Sequence, residues 1–350
     1  MTYPRMGGKI NNIYDTITGK KGEACMDQKL VQSPQGKRLA SNRMEKHKKT
    51  LVLLTMVAPA AIWLLLLRYL PMGGIILAFK DYKINPRNPS FISNLINSKW
   101  VGFKNFEFLF KTDGAWIMIR NTLAYNIVFI ILGVVIPVAF AVMMNEFTHK
   151  FVKKTYQTMM FFPYFLSWVV VSYFLNAFLD AQYGMIPAMQ EAAGQTPTSW
   201  YTTPGPWPYL LVLANLWKNV GYSTVLYLAA ITGIDASQYE AAAIDGASKW
   251  QQMLYVTLPH LRTMIAILFI MNVGKIFASD FGLFYNVPMQ NGALFSVTQT
   301  IDTYVYRAYI ATGDPGQSSA AGLLQNVLGF ICIMTANTIV KKIDPDSSMF

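Results

Sequence analysis

Beyond residue 50, long apolar runs alternate with short polar stretches. A helix needs about 20 predominantly apolar residues to cross ~30 Å of hydrocarbon. Six segments meet that length, at 51–79, 117–144, 158–179, 208–231, 261–284 and 319–340. The pattern predicts an all-α polytopic membrane protein with six transmembrane helices. The first run is long enough to hold a turn near Leu70-Pro71-Met72-Gly73-Gly74. Residues 1–50 are polar and basic and read as a largely disordered tail. Residues 51–340 form the membrane domain, and 341–350 a short C-terminal tail.

Composition sharpens this picture. The chain is 53% hydrophobic and 13% charged, where a soluble domain carries about 25% charged residues. The net charge of +11 comes without any nucleic-acid motif, and the basic residues flank apolar runs, where they set orientation. Lys37, Arg38, Arg43, Lys46, Lys48 and Lys49 precede the first span. Lys150, Lys153 and Lys154 separate the second and third, and Lys341 and Lys342 follow the last. With six spans, all three groups share one side, predicted to be cytoplasmic together with both termini. The localisation expected is the cell (inner or plasma) membrane. One loop runs against this rule: residues 81–115 fall outside yet carry Lys83, Arg87, Lys99, Lys104 and Lys111.

Catalytic motifs do not emerge. Cys25 and Cys332 have neither disulfide nor zinc spacing. His47, His149 and His260 read as interfacial residues, and Asp180, Asp280 and Asp302 as isolated carboxylates near span ends. Nothing matches a P-loop, a serine-hydrolase elbow or a zinc-protease helix. The chain is therefore expected to be no enzyme, with no cofactor and no metal of its own.

The polar stretch at 233–260, between the fourth and fifth spans, is the strongest signal. Ala241, Ala242 and Ala243 favour a helix, Asp235 or Ser237 can cap its start, and Gly246 can end it in a left-handed turn. A second short helix, 248–256, would run up to Pro259. The prediction is a helix, a glycine turn and a helix on the cytoplasmic surface.

Glu240-Ala241-Ala242, Gly246 three residues on, and Val256-x-Leu258-Pro259 resemble the EAA loop of permease subunits of binding-protein-dependent ABC importers, with Val256 where the family has isoleucine. Asn215-Leu216-Trp217-Lys218-Asn219-Val220-Gly221-Tyr222, Gly102-Phe103-Lys104-Asn105-Phe106, Asn121-Thr122-Leu123 and the run from Ala320-Ala321-Gly322 to Ala336-Asn337 resemble further parts of the carbohydrate-uptake members. The resemblance runs from about residue 51 to the C-terminus. It is nearest to importers of oligosaccharides and polysaccharide fragments, the alginate type among them. It implies the type I importer permease fold with a cytoplasmic coupling helix-turn-helix. Glu240, Ala241, Ala242, Asp245, Gly246, Leu258 and Pro259 would then engage a separate ATPase dimer, which would bind ATP and Mg. A second homologous permease, an extracellular solute-binding protein and an oligosaccharide substrate complete the implied partners, with membrane lipid around them.

Polar residues inside spans are candidates for the solute path. Asn215, Asn219 and Tyr222 share one helical face, as do Asn272, Lys275 and Ser279. Tyr164, Trp168 and Ser172 form a drifting stripe. Aromatic rings and amides suit a sugar's apolar faces and hydroxyls, although Asn and Ser also serve as glue between membrane helices. Lys218 is adjacent but reads as a feature of the whole permease class. Gly133 and Pro137 would mark a kink or a close contact. The rival reading, a stand-alone ion-coupled secondary transporter, calls for internal repeats and a buried carboxylate; neither is visible.

Overall fold

The computed structural model describes residues 34–83, 90–112, 114–147, 149–345 and 348, side chains of 34–48 excepted. The tail expected at 1–33, with Cys25, lies outside the described residues, as do Arg87 and the lysine and arginine side chains of 37–48. The chain separates into two compact units, 1–73 and 74–350. The first contains α1 (Pro34–Leu64), which continues into a widened turn at Leu65–Tyr69 just ahead of Pro71. Residues 34–50 of the expected tail are thus helical. A proline lacks an N–H and crowds the preceding turn, so the loosening before Pro71 has a local cause.

The second unit opens with a tight turn at Gly73–Phe79 and a two-stranded ribbon, β1 (Lys80–Asp81) paired antiparallel with β2 (Lys99–Trp100). Between and after them lie α2 (Phe91–Asn97) and α3 (Phe108–Lys111). The amide of Asn105 stitches this module by donating to the carbonyls of Ala78 at 3.1 Å and Lys80 at 2.9 Å. The loop's conflict with the charge rule softens here. Lys80 Nζ donates to the Leu95 carbonyl at the end of α2. Lys83 pairs with Asp81 and Lys111 with Glu107, and the Lys111 bond holds the Glu107 carboxyl below its usual pKa.

The membrane helices follow: α4 (Ala115–Asn145), α5 (Lys150–Phe161), α6 (Trp168–Leu179), the short α7 (Met185–Ala192), α8 (Trp207–Thr232), α9 (Ala236–Ile244) and α10 (Lys249–Val273). Then come α11 (Phe281–Asn286), α12 (Phe295–Thr298), α13 (Ile301–Thr312) and α14 (Pro315–Ile343). Among the described residues, four helices are long and apolar enough to cross a membrane, starting at Lys49, Ala115, Lys249 and Pro315. The α5–α6 pair makes a fifth if counted as one span. The 26-residue α8 occupies the fourth predicted segment; its interior polar residues lower its apolar content.

Two predicted spans need correction. The third is not straight: Lys150–Phe165 and Trp168–Leu179 meet at 99°. Pro163 ends the first helix in a tight turn, and Ser167 caps the second by accepting the Val170 N–H. The fifth stops at Val273, where Gly274 ends it. Residues 274–280 are irregular, and α11 follows. Irregular backbone at membrane depth survives only if its polar groups find protein partners. Polar residues of α4 supply them. Asn126 donates to the carbonyls of Ile276 and Ala278, Asn121 to that of Gln299 and Tyr125 to that of Val297, while Thr122 accepts the Ile301 N–H. Asp302 takes the Ser279 N–H and hydroxyl. It is a structural clasp here, not an isolated interfacial carboxylate.

Apolar packing holds α4 and α8 together. Val138, Ala141, Val142 and Met144 meet Tyr227, Leu228 and Ile231, with Leu261 of α10 behind them. A second cluster joins Tyr125, Val171, Trp207, Leu211, Leu283 and Phe284. Glycine fits one contact only it can make: a Cβ on Gly221 would stand 1.9 Å from the Met160 carbonyl oxygen. Gly133 shows no such contact, with nothing within 4 Å of the corresponding position, so it marks no close packing.

Candidate functional site

Two sites emerge. The first is the polar stretch between α8 and α10. Asp235 starts α9 by accepting the Ser237 N–H at 3.0 Å, and this bond holds its carboxyl below the ordinary aspartate pKa. The helix ends at Gly246, whose φ of +79° is left-handed. The Gly246 N–H bonds to the Ala243 carbonyl and the Ala247 N–H to that of Ala242, the paired closing bonds of a Schellman end. Ser248 and Gln251 then cap each other's backbone to start α10.

The second helix differs from expectation. It does not stop before Pro259 but runs on as α10 to Val273. A widened turn at Met253–Thr257 absorbs the proline, and the His260 ring bonds the Val256 carbonyl at 2.7 Å. The stretch is therefore a short helix hinged by glycine to the end of a long one. The Tyr239 hydroxyl lies 2.9 Å from that of Thr257, and Lys249 lies 3.8 Å from the Glu146 carboxylate just after α4. These contacts join α9 to α10 and α10 to the end of α4.

Of the residues nominated for coupling, Glu240, Ala241, Asp245, Gly246, Leu258 and Pro259 are exposed, and Ala242 is half-buried. Large apolar side chains beside them are bare as well: Ile244 is 86% exposed, Tyr255 76% and Trp250 65%. Apolar side chains of this size standing free around a structured turn offer a docking surface.

The second site gathers at the break between α5 and α6. The rings of Tyr164 and Tyr222 stack 4.6 Å apart at 11°. Lys218 Nζ donates to the Tyr164 carbonyl at 2.7 Å and lies over the rings of Tyr164 and Trp168, 5.3 and 5.4 Å from their centres. The Trp168 indole donates to Asp280 at 2.8 Å, and Asp280 caps α11 through the Leu283 N–H. Trp168 seats on Gly282, where a Cβ would come within 2.3 Å of the indole. One aromatic cluster with a cation and a carboxylate thus joins α8, the break and α11.

The structure brings Tyr164, Trp168 and Tyr222 together but not the other path candidates. Ser172, one turn beyond Trp168 on α6, is buried and donates to the Val169 carbonyl. Asn219 donates back to the Asn215 carbonyl within α8. Asn272 and Lys275 are exposed at the end of α10, and Ser279, expected on their face, lies beyond the helix. Lys218 and Asp280 are the residues that spacing undervalued. A signal for Asp280 exists in the sequence: an aspartate directly before Phe281-Gly282-Leu283 is a helix cap.

Comparison with known proteins places these features. Residues 130–344 match the family described as binding-protein-dependent transport system inner membrane component. The chain is 32% identical over 307 residues to the polygalacturonan/rhamnogalacturonan transport system permease protein YteP of Bacillus subtilis (strain 168), covering 86% of this chain and 93% of that one. It is 33% identical over 301 residues to protein LplB of the same organism, covering 86% and 91%. Its structure resembles a chain of a bacterial ABC transporter involved in the import of the acidic polysaccharide alginate. The TM-score is 0.76 and the identity 28%, covering 87% of this chain and 99% of that one. A bacterial alginate ABC transporter in complex with alginate pentasaccharide-bound periplasmic protein is similar at a TM-score of 0.74 and 28% identity, over 85% and 97%.

Proposed function

From the premise that this chain belongs to the binding-protein-dependent transport system inner membrane component family, we propose how a multi-pass permease subunit of a sugar ABC importer works with these two sites. The exposed α9–Gly246 turn docks on a separate ATPase dimer, which binds ATP and Mg. Its closure is carried through the Tyr239–Thr257 and Lys249–Glu146 contacts into α10 and α4, switching the path between outward and inward states. The observation that carries this reading is the capped, glycine-ended α9 with Ile244, Trp250 and Tyr255 bare around it. Docking places α9 and both termini in the cytoplasm, with six spans in all.

The Tyr164–Tyr222–Trp168–Lys218 cluster is the sugar-contacting part of the path, shared with a second homologous permease. Stacked rings fit the apolar faces of pyranoses, and Lys218 and Asp280 meet hydroxyl or carboxylate groups. The substrate class is an oligosaccharide delivered by an extracellular binding protein. Uronate-bearing chains are the first to test, because YteP and the alginate transporter handle such polymers.

The test is gentle extraction of the tagged chain from its native membrane and mass spectrometry of what accompanies it. A P-loop ATPase and a second six-span protein are expected. A chain that comes out alone and moves solute into vesicles without ATP overturns the reading in favour of a secondary transporter.

A further inference from the structure

A second groove lies against α11. It runs between α13 and α14, with Phe281 at one edge, Tyr306 and Tyr309 along one wall, and Ser318, Ser319 and Gln325 along the other. Its volume of about 580 Å³ falls within the ~300–1,000 Å³ of small-ligand sites. From Pro315 to Gln325 it extends about 15 Å along α14, at 1.5 Å per residue.

The lining is unlike ordinary packing between helices. Phe281 meets Tyr285 at 4.7 Å and Tyr306 at 5.0 Å between ring centres, so the aromatic wall is braced. Tyr306 is nevertheless 39% exposed and Tyr309 42%. Across from them, the Ser318 hydroxyl is buried without a hydrogen-bond partner. Such a group costs stability unless something satisfies it, and Ser318 lines the groove. Gln325 spends its amide N–H groups on the Phe277 carbonyl and Asp302, which fixes its side chain against the clasp. Asp302 is already committed to Ser279 and Gln325, so it shapes the wall.

Braced rings facing fixed polar groups suit a ligand with apolar faces and a polar rim, which describes a pyranose. A lipid chain would leave the Ser318 hydroxyl unsatisfied. The groove and the first cluster draw on the same turn of chain: Asp280 holds the Trp168 indole, and the next residue, Phe281, lines the groove. We propose that the α13–α14 groove is a second sugar subsite, which holds the further residues of an oligosaccharide whose leading residues occupy the Tyr164–Trp168–Lys218 cluster. This rests on the reading of that cluster as the sugar path. The groove then favours long chains over disaccharides.

The test uses the purified transporter with all its subunits and no binding protein. Binding of digalacturonate and pentagalacturonate is measured by calorimetry, alongside ATP-driven uptake of both in vesicles supplied with binding protein. Wild type is expected to bind the pentamer more tightly than the dimer. The Tyr306→Ala, Tyr309→Ala double variant is expected to lose roughly threefold to tenfold in pentamer affinity, the size of one or two ring contacts, with the dimer unchanged. The Tyr306→Phe, Tyr309→Phe variant keeps the rings and is expected to bind like wild type, which separates stacking from misfolding. Equal loss at both lengths, or wild-type pentamer affinity in the double alanine variant, overturns the second subsite while leaving the transport function in place. A wild-type complex that neither binds nor imports either chain overturns the sugar-path reading itself, and the subsite with it.

Discussion

Gly221→Ala tests how this fold holds its break in place. At Gly221 the backbone of α8 lies against the end of α5, and a Cβ would stand 1.9 Å from the Met160 oxygen, 2.3 Å from its carbonyl carbon and 2.8 Å from the Phe161 nitrogen. Real Cβ contacts essentially never fall under 3.0 Å, so the two segments must separate by more than about 1 Å. The obstructing atoms are backbone, and no rotamer change relieves them. Overpacking costs about 1–3 kcal/mol, and this contact belongs at the upper end. With about 2–4 °C per kcal/mol for domains of 150–250 residues and less for larger ones, the purified complex should melt roughly a few degrees lower. Tyr222, the next residue, stacks on Tyr164, so transport should fall together with stability. Gly133→Ala is the control. Its Cβ meets nothing within 4 Å, and alanine is the better helix former by up to ~1 kcal/mol; its melting temperature should hold or rise. Thermal melts of the intact complex in one detergent read both. A Gly221→Ala complex as stable as wild type, or a Gly133→Ala complex equally damaged, would refute the backbone-contact argument.

Three further outcomes are expected. Gly246→Trp puts a large side chain on a left-handed, exposed position; the complex should still insert in the membrane but lose sugar-stimulated ATPase activity, and unchanged uptake would sink the docking assignment. Trp168→Phe keeps an aromatic ring but removes the N–H given to Asp280, which should cost about 1.5–3 kcal/mol and slow transport, whereas transport at the wild-type rate would detach this bond from the path. Asp235 has a folded-state pKa below its ordinary value, so its cap is fully in place above that ordinary value and fades only as pH falls through the depressed one. Coupled ATPase activity from pH 8 to about pH 5 should therefore be the same in wild type and Asp235→Asn, which keeps a capping oxygen. A loss on acidification that Asp235→Asn abolishes would contradict this.

How much of this was legible in the sequence depends on what kind of signal each feature leaves. Apolar length located the helices, because hydrocarbon thickness sets a minimum run that composition reveals directly. The α9 turn was legible because its cap and its left-handed glycine are local chemistry: Asp235 and Gly246 do in the structure what their neighbours in sequence ask of them. The interrupted spans were not. An apolar run reads the same whether it crosses straight or bends by 99° after Pro163, and the irregular 274–280 segment is tolerable only because Asn126, more than a hundred residues earlier, supplies the missing donors. A partner at that separation leaves no local mark.

The same reasoning explains why the structure gathers some of the path candidates and not others. Helical spacing sorts residues onto faces only while the helix lasts. Ser279 lies past the end of α10 and leaves the face of Asn272, and the break at 166–167 separates Tyr164 from Trp168 and Ser172. Lys218 and Asp280 sit on different elements, and Trp168 brings them to one cluster through its ring and its N–H. The break that spoiled the periodicity is what exposes Tyr164 and Trp168 to that cluster in the first place. In a straight third span those rings would project from one side of a continuous helix. The 99° turn instead frees the Tyr164 carbonyl, and Lys218 donates to it. An interrupted span thus supplies both the aromatic surface and the unpaired backbone group that holds a lysine over it.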